Sequence, residues 1–122
     1  MLVFKGVREP VRVKFLFEPM ITTLNLLAEW SARYGIDVIV TSMDDHDHKS
    51  GSLHGQSFAV DFCVDRSQVP NGGFEKPMDA LVGYLRLRLG LGFDILWKSD
   101  DQHQHHCHVE FDIKQRRGAW TG

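Results

Sequence analysis

Residues 103–113 read His-Gln-His-His-Cys-His-Val-Glu-Phe-Asp-Ile, and this stretch joins a histidine cluster to a strand-like ending. Side chains along a β-strand alternate between its two faces. Alternation therefore predicts that His106, His108 and Glu110 share one face, whereas the apolar residues between them face the opposite way. Two imidazoles two residues apart on a rigid strand can converge on one point, as metal coordination requires.

The size and composition of the chain are those of an ordinary globular domain. Its 122 residues predict one domain, residues 1–122, with enough chain to bury a core. Hydrophobic residues make up 43% and charged residues 25%, both typical of soluble proteins. The formal net charge of −2 gives no electrostatic reason to expect nucleic acid or an anionic membrane as a partner.

Export and disulfide signals are both weak. The apolar run within residues 1–10 is too short, and too interrupted by charges, for a secretory signal, so we expect synthesis in the cytoplasm. The two cysteines, Cys63 and Cys107, do not make a disulfide framework, and we expect two buried, reduced thiols. If Asp61 and His108 face one pocket, alternation puts Cys63 on the pocket side and Cys107 away from it.

Hydrophobic periodicity predicts an α+β fold with a small, mostly antiparallel sheet and two helices, in the order β-α-β-β-α-β-β. One helix begins at Glu18-Pro19 and ends at Gly35, and the other spans Pro77 to Leu89. Polar loops are expected at residues 43–53 and 66–76. The predicted strands cover residues 11–17, 36–42, 58–64 and 93–98 and the segment after the histidine cluster.

A second group of polar residues precedes and enters the third strand. His54 ends a polar loop, and Asp61 lies within a strand of β-branched and aromatic residues. Such a carboxylate is costly to bury unless its charge is compensated, which a metal ion would do. One more imidazole from the last strand would complete a His, Asp, His triad. Three protein ligands with a fourth position open is the catalytic form of zinc coordination.

These residues resemble a known pattern. Ser52-x-His54, then Ala59-x-Asp61, then the late His-x-His ending at His108 are similar to the zinc D-Ala-D-Ala carboxypeptidase and murein endopeptidase family, within a wider group that includes the lysostaphin-like enzymes. The resemblance covers residues 41–111. It implies that His54, Asp61 and His108 bind Zn²⁺.

The resemblance also suggests catalytic residues, but it leaves the general base open. His106 would be catalytic, and His103 matches the additional active-site histidine of the murein endopeptidases. Many family members carry a Glu three residues before the last ligand, where this chain has His105, so three histidines compete for the role. The family Gly of Gly-x-Ala-x-Asp is Ser57 here. Glu110 has two interpretations, a residue that orients a ligand or a solvent-facing charge.

Substrate contacts are expected from Ser52 and Lys49. Family members often place an Arg shortly after the preceding strand; this chain has none there, and Lys49 could substitute. The resemblance implies a zinc peptidase that cleaves amide bonds in the peptide stems of bacterial peptidoglycan, as an endopeptidase or a D-Ala-D-Ala carboxypeptidase. Small size and no export signal fit a phage-encoded lysis enzyme or a virion component. The alternative is a non-catalytic, metal-binding virion or assembly module that keeps the peptidase fold.

Overall fold

A computed structural model describes residues 1–5, 18–47, 56–90, 92–98 and 105–112 of the chain. Within these ranges the chain forms five strands, two α-helices and two short 3₁₀ turns, which confirms the predicted α+β class. The elements, in chain order, are β1 Leu2–Phe4, α1 Glu18–Tyr34, β2 Val38–Asp47, β3 Gln56–Val64, the 3₁₀ turns Arg66–Gln68 and Pro70–Gly72, α2 Glu75–Arg88, β4 Phe93–Leu96 and β5 Cys107–Asp112.

The five strands form one sheet in the order β1-β2-β3-β5-β4. Among the described strands, β1 and β2 are parallel, whereas β2 with β3, β3 with β5, and β5 with β4 are antiparallel. Strand β5 is therefore inserted between β3 and β4. This insertion brings the histidine strand beside the strand that carries Asp61.

One face of the sheet is covered by both helices. The inward side chains of β2, β3 and β5 join residues of α1 and α2 in a single hydrophobic core. The aromatic side chains Trp30, Phe58 and Phe62 are at most 2% exposed. Because the core lies on one side of the sheet, the polar side chains that alternate with the core residues lie on the other side. That opposite face can therefore carry a site. The buried core side chains are Met20, Leu27, Trp30, Val38, Val40, Phe58, Val60, Phe62, Val64, Met78, Leu81, Val82, Tyr84, Leu85, Leu89, Trp97, Cys107, Val109 and Phe111.

The helix boundaries follow local chemistry closely. Glu18 and Pro19 begin α1 as predicted, and Gly35 follows its last residue with φ of +70°, the left-handed conformation that glycine adopts without strain. The second helix starts at Glu75, two residues earlier than predicted. Pro77 therefore lies in its first turn, where the missing N–H removes no intrahelical hydrogen bond.

Two strand boundaries were predicted wrongly. Residues 43–47 were expected to be loop, but β2 continues to Asp47 and pairs with β3 as far as Gln56. The register shifts between Val40 and Ser42, so a bulge precedes this polar extension. Strand β4 ends at Leu96 instead of residue 98, because Lys98 turns the backbone with φ of +60°.

The first observed strand also differs from the prediction. β1, at residues 2–4, was not predicted, since three residues give no usable periodicity. Its edge position is fixed by backbone bonds on either side of the strand, where Val38 donates to the Met1 carbonyl at 3.0 Å and Lys5 donates to the Val40 carbonyl at 2.8 Å. The strand predicted at residues 11–17 lies outside the described residues.

Candidate metal centre

The candidate site is built on two neighbouring central strands. Asp61 of β3 and His108 of β5 are directly opposite in the antiparallel register. Their side chains share the face that the helices leave uncovered, because the flanking residues Phe62, Cys107 and Val109 are buried in the core. The predicted alternation of β5 is therefore confirmed. Directly opposite residues in such a pair have side chains close enough to interact.

His108 lies between two carboxylates. Its Nδ1 is 2.6 Å from Asp61 Oδ1, and its Nε2 is 2.6 Å from Glu110 Oε1. Carboxylate oxygens only accept, so both contacts are hydrogen bonds when the ring carries both protons. Burial lowers the pKa of His108, but the hydrogen bonds to Asp61 and Glu110 outweigh it and raise the pKa above the ordinary value. The two carboxylates thus favour the protonated form of the His108 imidazole and hold the ring in a defined orientation.

Glu110 was given two interpretations from the sequence. Its contact with His108 Nε2 means that it orients the imidazole, although its side chain is 48% exposed. A carboxylate that hydrogen-bonds the second nitrogen of a metal-binding histidine fixes the ring and the tautomer. The position of Glu110 fits that arrangement, with Nδ1 of His108 directed at Asp61.

His106 approaches the same carboxylate oxygen. Its Nε2 lies 3.9 Å from Asp61 Oδ1, beyond hydrogen-bonding distance, and its side chain is 37% exposed. Asp61 itself is 26% exposed, so the two imidazoles converge on a half-buried carboxylate at the surface of the sheet. Strand alternation predicted that His106 and His108 share a face, whereas Asp61 was proposed separately as a metal ligand. It brings an Asp and two His side chains into one cluster.

His105 lies apart from this cluster. Its side chain is exposed, and its ring centroid is 6.5 Å from that of Phe74. The contact with Phe74 places the His105 ring over the segment that leads into α2. His54, His103, Ser52 and Lys49, the other predicted ligand, catalytic and substrate-binding residues, lie outside the described residues.

The described donors fit part of a zinc site. Carboxylate and imidazole are both zinc ligands, and His108 and Asp61 are two of the three predicted donors. Their donor atoms are 2.6 Å apart, whereas two ligands of one tetrahedral zinc are about 3.4 Å apart. Among the described residues no group of three or more His, Cys, Asp or Glu side chains is arranged to hold a metal ion. The third predicted ligand, His54, is not among them.

One residue near the site gave no signal in the sequence. Arg66, in the first 3₁₀ turn, donates from Nη2 to the backbone carbonyl of His105 at 2.7 Å. Its guanidinium lies over the ring of Phe74, with Cζ 4.2 Å from the centroid. Arg66 therefore ties the segment before β5 to the segment before α2. Within a stretch predicted as exposed loop, a single arginine could not have been distinguished from a solvated charge.

The two cysteines lie as alternation predicted. Both are free thiols, but only Cys107 is buried in the core; Cys63 is half-buried on the same face as Asp61, so the expectation that both thiols are buried was wrong for Cys63. Burial raises the pKa of Cys107 to about 12. Burial also raises the pKa of Cys63, although the neighbouring Arg66 opposes this shift. Neither thiol is an activated nucleophile at neutral pH.

Comparison of the chain with protein-family models, with curated protein sequences and with solved structures finds no match. Within the part of the chain that the structure describes, no helix is long and apolar enough to cross a membrane.

Proposed function

We propose that this chain is a zinc-dependent peptidase that cleaves amide bonds in the peptide stems of bacterial peptidoglycan. One observation carries the proposal: Asp61 and His108 are opposite each other on adjacent strands, and His106 reaches toward the same carboxylate oxygen. Spacing in the sequence and register in the sheet agree on this pair. A solvated histidine-rich loop would not require such a partner on a neighbouring strand.

The proposed ligands are His54, Asp61 and His108. Zinc held by them would make a bound water acidic enough to yield hydroxide near neutral pH, and would polarise the carbonyl of the scissile amide. His108 must give up its Nδ1 proton to act as a ligand, since only a neutral imidazole binds a metal. Glu110 keeps the Nε2 proton in its hydrogen bond and so holds the ring in place.

His106 is the proposed carrier of the catalytic proton. Its Nε2 is close to the cluster, 3.9 Å from Asp61 Oδ1 and beyond hydrogen-bonding distance of that oxygen. A positioned imidazole can accept a proton during attack and return it to the leaving amine. His103, which lies outside the described residues, and His105, which lies apart from the Asp61 cluster, are the competing candidates.

The first experiment is metal content. Elemental analysis of the wild type, Asp61→Ala and Asp94→Ala, all prepared identically, should find about one zinc per chain in the wild type and the Asp94 variant and none in the Asp61 variant. Asp94 is a matched control, because it is an exposed aspartate that pairs with Glu110 across β4 and β5. No zinc in any of the three proteins would contradict the proposal.

The second experiment separates catalysis from metal binding. Purified murein is incubated with the wild type and with His106→Ala, and newly released amino groups are counted. Release by the wild type alone would support His106 as a catalytic residue. Zinc binding without release by the wild type would favour the alternative, a non-catalytic module that keeps the metal. Ser57 and His105, where the family has Gly and Glu, are the sequence features behind that alternative.

A further inference from the structure

A groove of about 410 Å³ opens on the uncovered face of the sheet, next to the candidate centre. Ile39, Thr41 and Cys63 contribute to it from β2 and β3, and Arg66, His105 and His106 line it beyond the strands. Most of its surface is apolar. His106 lines the groove and also approaches Asp61, so the groove and the candidate centre are continuous.

Arg66 places a positive charge in this lining. One hydrogen bond to the carbonyl of His105 and the stacking on Phe74 hold its guanidinium. Asp65 also lines the groove, and its Oδ1 is used within its own turn, where it accepts from the Ser67 N–H at 3.0 Å and from the Ser67 hydroxyl at 2.7 Å. Among the described residues Arg66 forms no ion pair with a carboxylate.

A guanidinium carries five N–H donors in a planar fork that matches a carboxylate. One donor of Arg66 is used on the His105 carbonyl, the guanidinium also contacts the Cys63 thiol, and the stacking on Phe74 fixes the plane of the fork without using the remaining donors. The groove therefore has a mostly apolar lining and a guanidinium whose position is fixed by its contacts. A ligand that suits both would be small and aliphatic and would carry a carboxylate.

We propose that this groove is a subsite for a small aliphatic residue that carries a carboxylate, and that Arg66 selects for the carboxylate. The inference rests on the proposed function, since the peptide bond to be cleaved would then lie on the His106 side. The methyl group of an alanine would contact Ile39 and Cys63, and its carboxylate would lie at Arg66. Arg66 is thus a specificity-determining residue for the peptide.

The test uses two small probes, N-acetyl-D-alanine and its amide, titrated into the zinc-loaded full chain. Dissociation constants are read from ¹H–¹⁵N spectra, from the backbone signals of Thr41, Cys63 and Ser67. The acid should bind about tenfold more tightly than the amide, a moderate factor because Arg66 is solvent-exposed. Arg66→Gln should reduce this preference to within about twofold.

Two further variants make the result specific. Arg88 is an exposed arginine stacked on Tyr84 in α2, with Cζ 3.7 Å from the ring centroid, so Arg88→Gln removes a similar cation from a different place and should leave the preference unchanged. Arg66→Lys keeps the charge without the fork and should give an intermediate preference. This variant also serves if Arg66→Gln does not fold.

Several outcomes would overturn the subsite. They are equal binding of acid and amide by the wild type, a full preference in folded Arg66→Gln, or shifts confined to residues outside the groove. A full preference without Arg66 would mean that the carboxylate binds the metal instead. Hydrolysis of murein without any acid preference would refute the subsite alone. An acid preference in a chain that binds zinc but releases no amino groups would refute the peptidase alone.

Discussion

Replacing Asp61 by Asn tests the centre by stability, with and without metal. The change keeps the shape of the side chain but removes the charge that His108 Nδ1 contacts at 2.6 Å. A hydrogen bond between charged groups contributes roughly 1.5–3 kcal/mol, and partial exposure of both side chains reduces this to about 1–2 kcal/mol. Unfolding entropy of roughly 2.1 cal/mol/K per residue then converts the loss into a Tm lower by about 4–8 °C.

The pH at which this loss is measured matters. The pKa of His108 is raised in the folded metal-free chain, so its ionic hydrogen bonds stabilise the fold below the unfolded pKa of about 6.5. That contribution disappears as the pH rises through the higher folded pKa. The metal-free difference between the wild type and Asp61→Asn should therefore be largest near pH 6 and should shrink in alkaline buffer. Zinc binding has the opposite trend, because acid protonates the imidazole ligands.

The same thermal unfolding is also measured with zinc present. A metal bound only by the native state at 100 times its Kd adds about 2.7 kcal/mol, which corresponds to about 10 °C in Tm for a chain of this length. Thermal unfolding is followed by circular dichroism with added zinc and with chelator. The wild type and the Asp94→Asn control should gain this stability, whereas Asp61→Asn should not. Equal gains in all three proteins, or no gain in the wild type, would refute the assignment of Asp61 as a ligand.

Four further outcomes are expected. His106→Ala should keep its zinc but release amino groups from murein at least about 100-fold more slowly, and an unchanged rate would transfer the role to another histidine. Cys107 should resist iodoacetamide from pH 8 to pH 10 in the folded chain, because its pKa is about 12, while the half-buried Cys63 reacts; equal labelling by mass spectrometry would contradict this burial. Tyr84→Phe should leave Tm equal or higher, since the buried hydroxyl makes no hydrogen bond of ordinary geometry within the described residues, although the Glu29 carboxylate lies near it; a clear drop would show that the hydroxyl bonds Glu29. Phe62→Ala should destabilise the fold by about 3–5 kcal/mol in urea unfolding, because its side chain is fully buried; a loss below 1 kcal/mol would show that the core repacks around it.

The facing of the site residues could be predicted because it depends only on local geometry. A strand has a period of two residues, so the pattern after His105 fixed which side chains share a face before any partner strand was known. Helix ends were predictable for the same reason, as Gly35 shows with its positive φ. The residues that form such a pattern lie within a few positions of one another. The pattern can therefore be interpreted without knowledge of the tertiary structure.

The extent of the hairpin between β2 and β3 was not predictable. Residues 44–47 are polar and were assigned to a loop, yet they pair with the start of β3. Backbone hydrogen bonds to a neighbouring strand stabilise an extended chain whatever its side chains are, and composition does not report them. Arg66 was missed in the same way, since its hydrogen bond to the His105 carbonyl joins residues that are far apart in sequence.

The register between β3 and β5 lies between these cases, because alternation fixes the face but allows slips of two residues. In the observed register Asp61 is opposite His108 and the buried Phe62 is opposite the buried Cys107. A slip in one direction would take Asp61 away from its imidazole partner and put it opposite Glu110, which already faces the carboxylate of Asp94 on its other side. A slip in the other direction would put Phe62 opposite the exposed His105 and remove its buried partner. Packing on the helix-covered face and charge on the open face thus favour the same register, and the pairing of Asp61 with His108 follows from both.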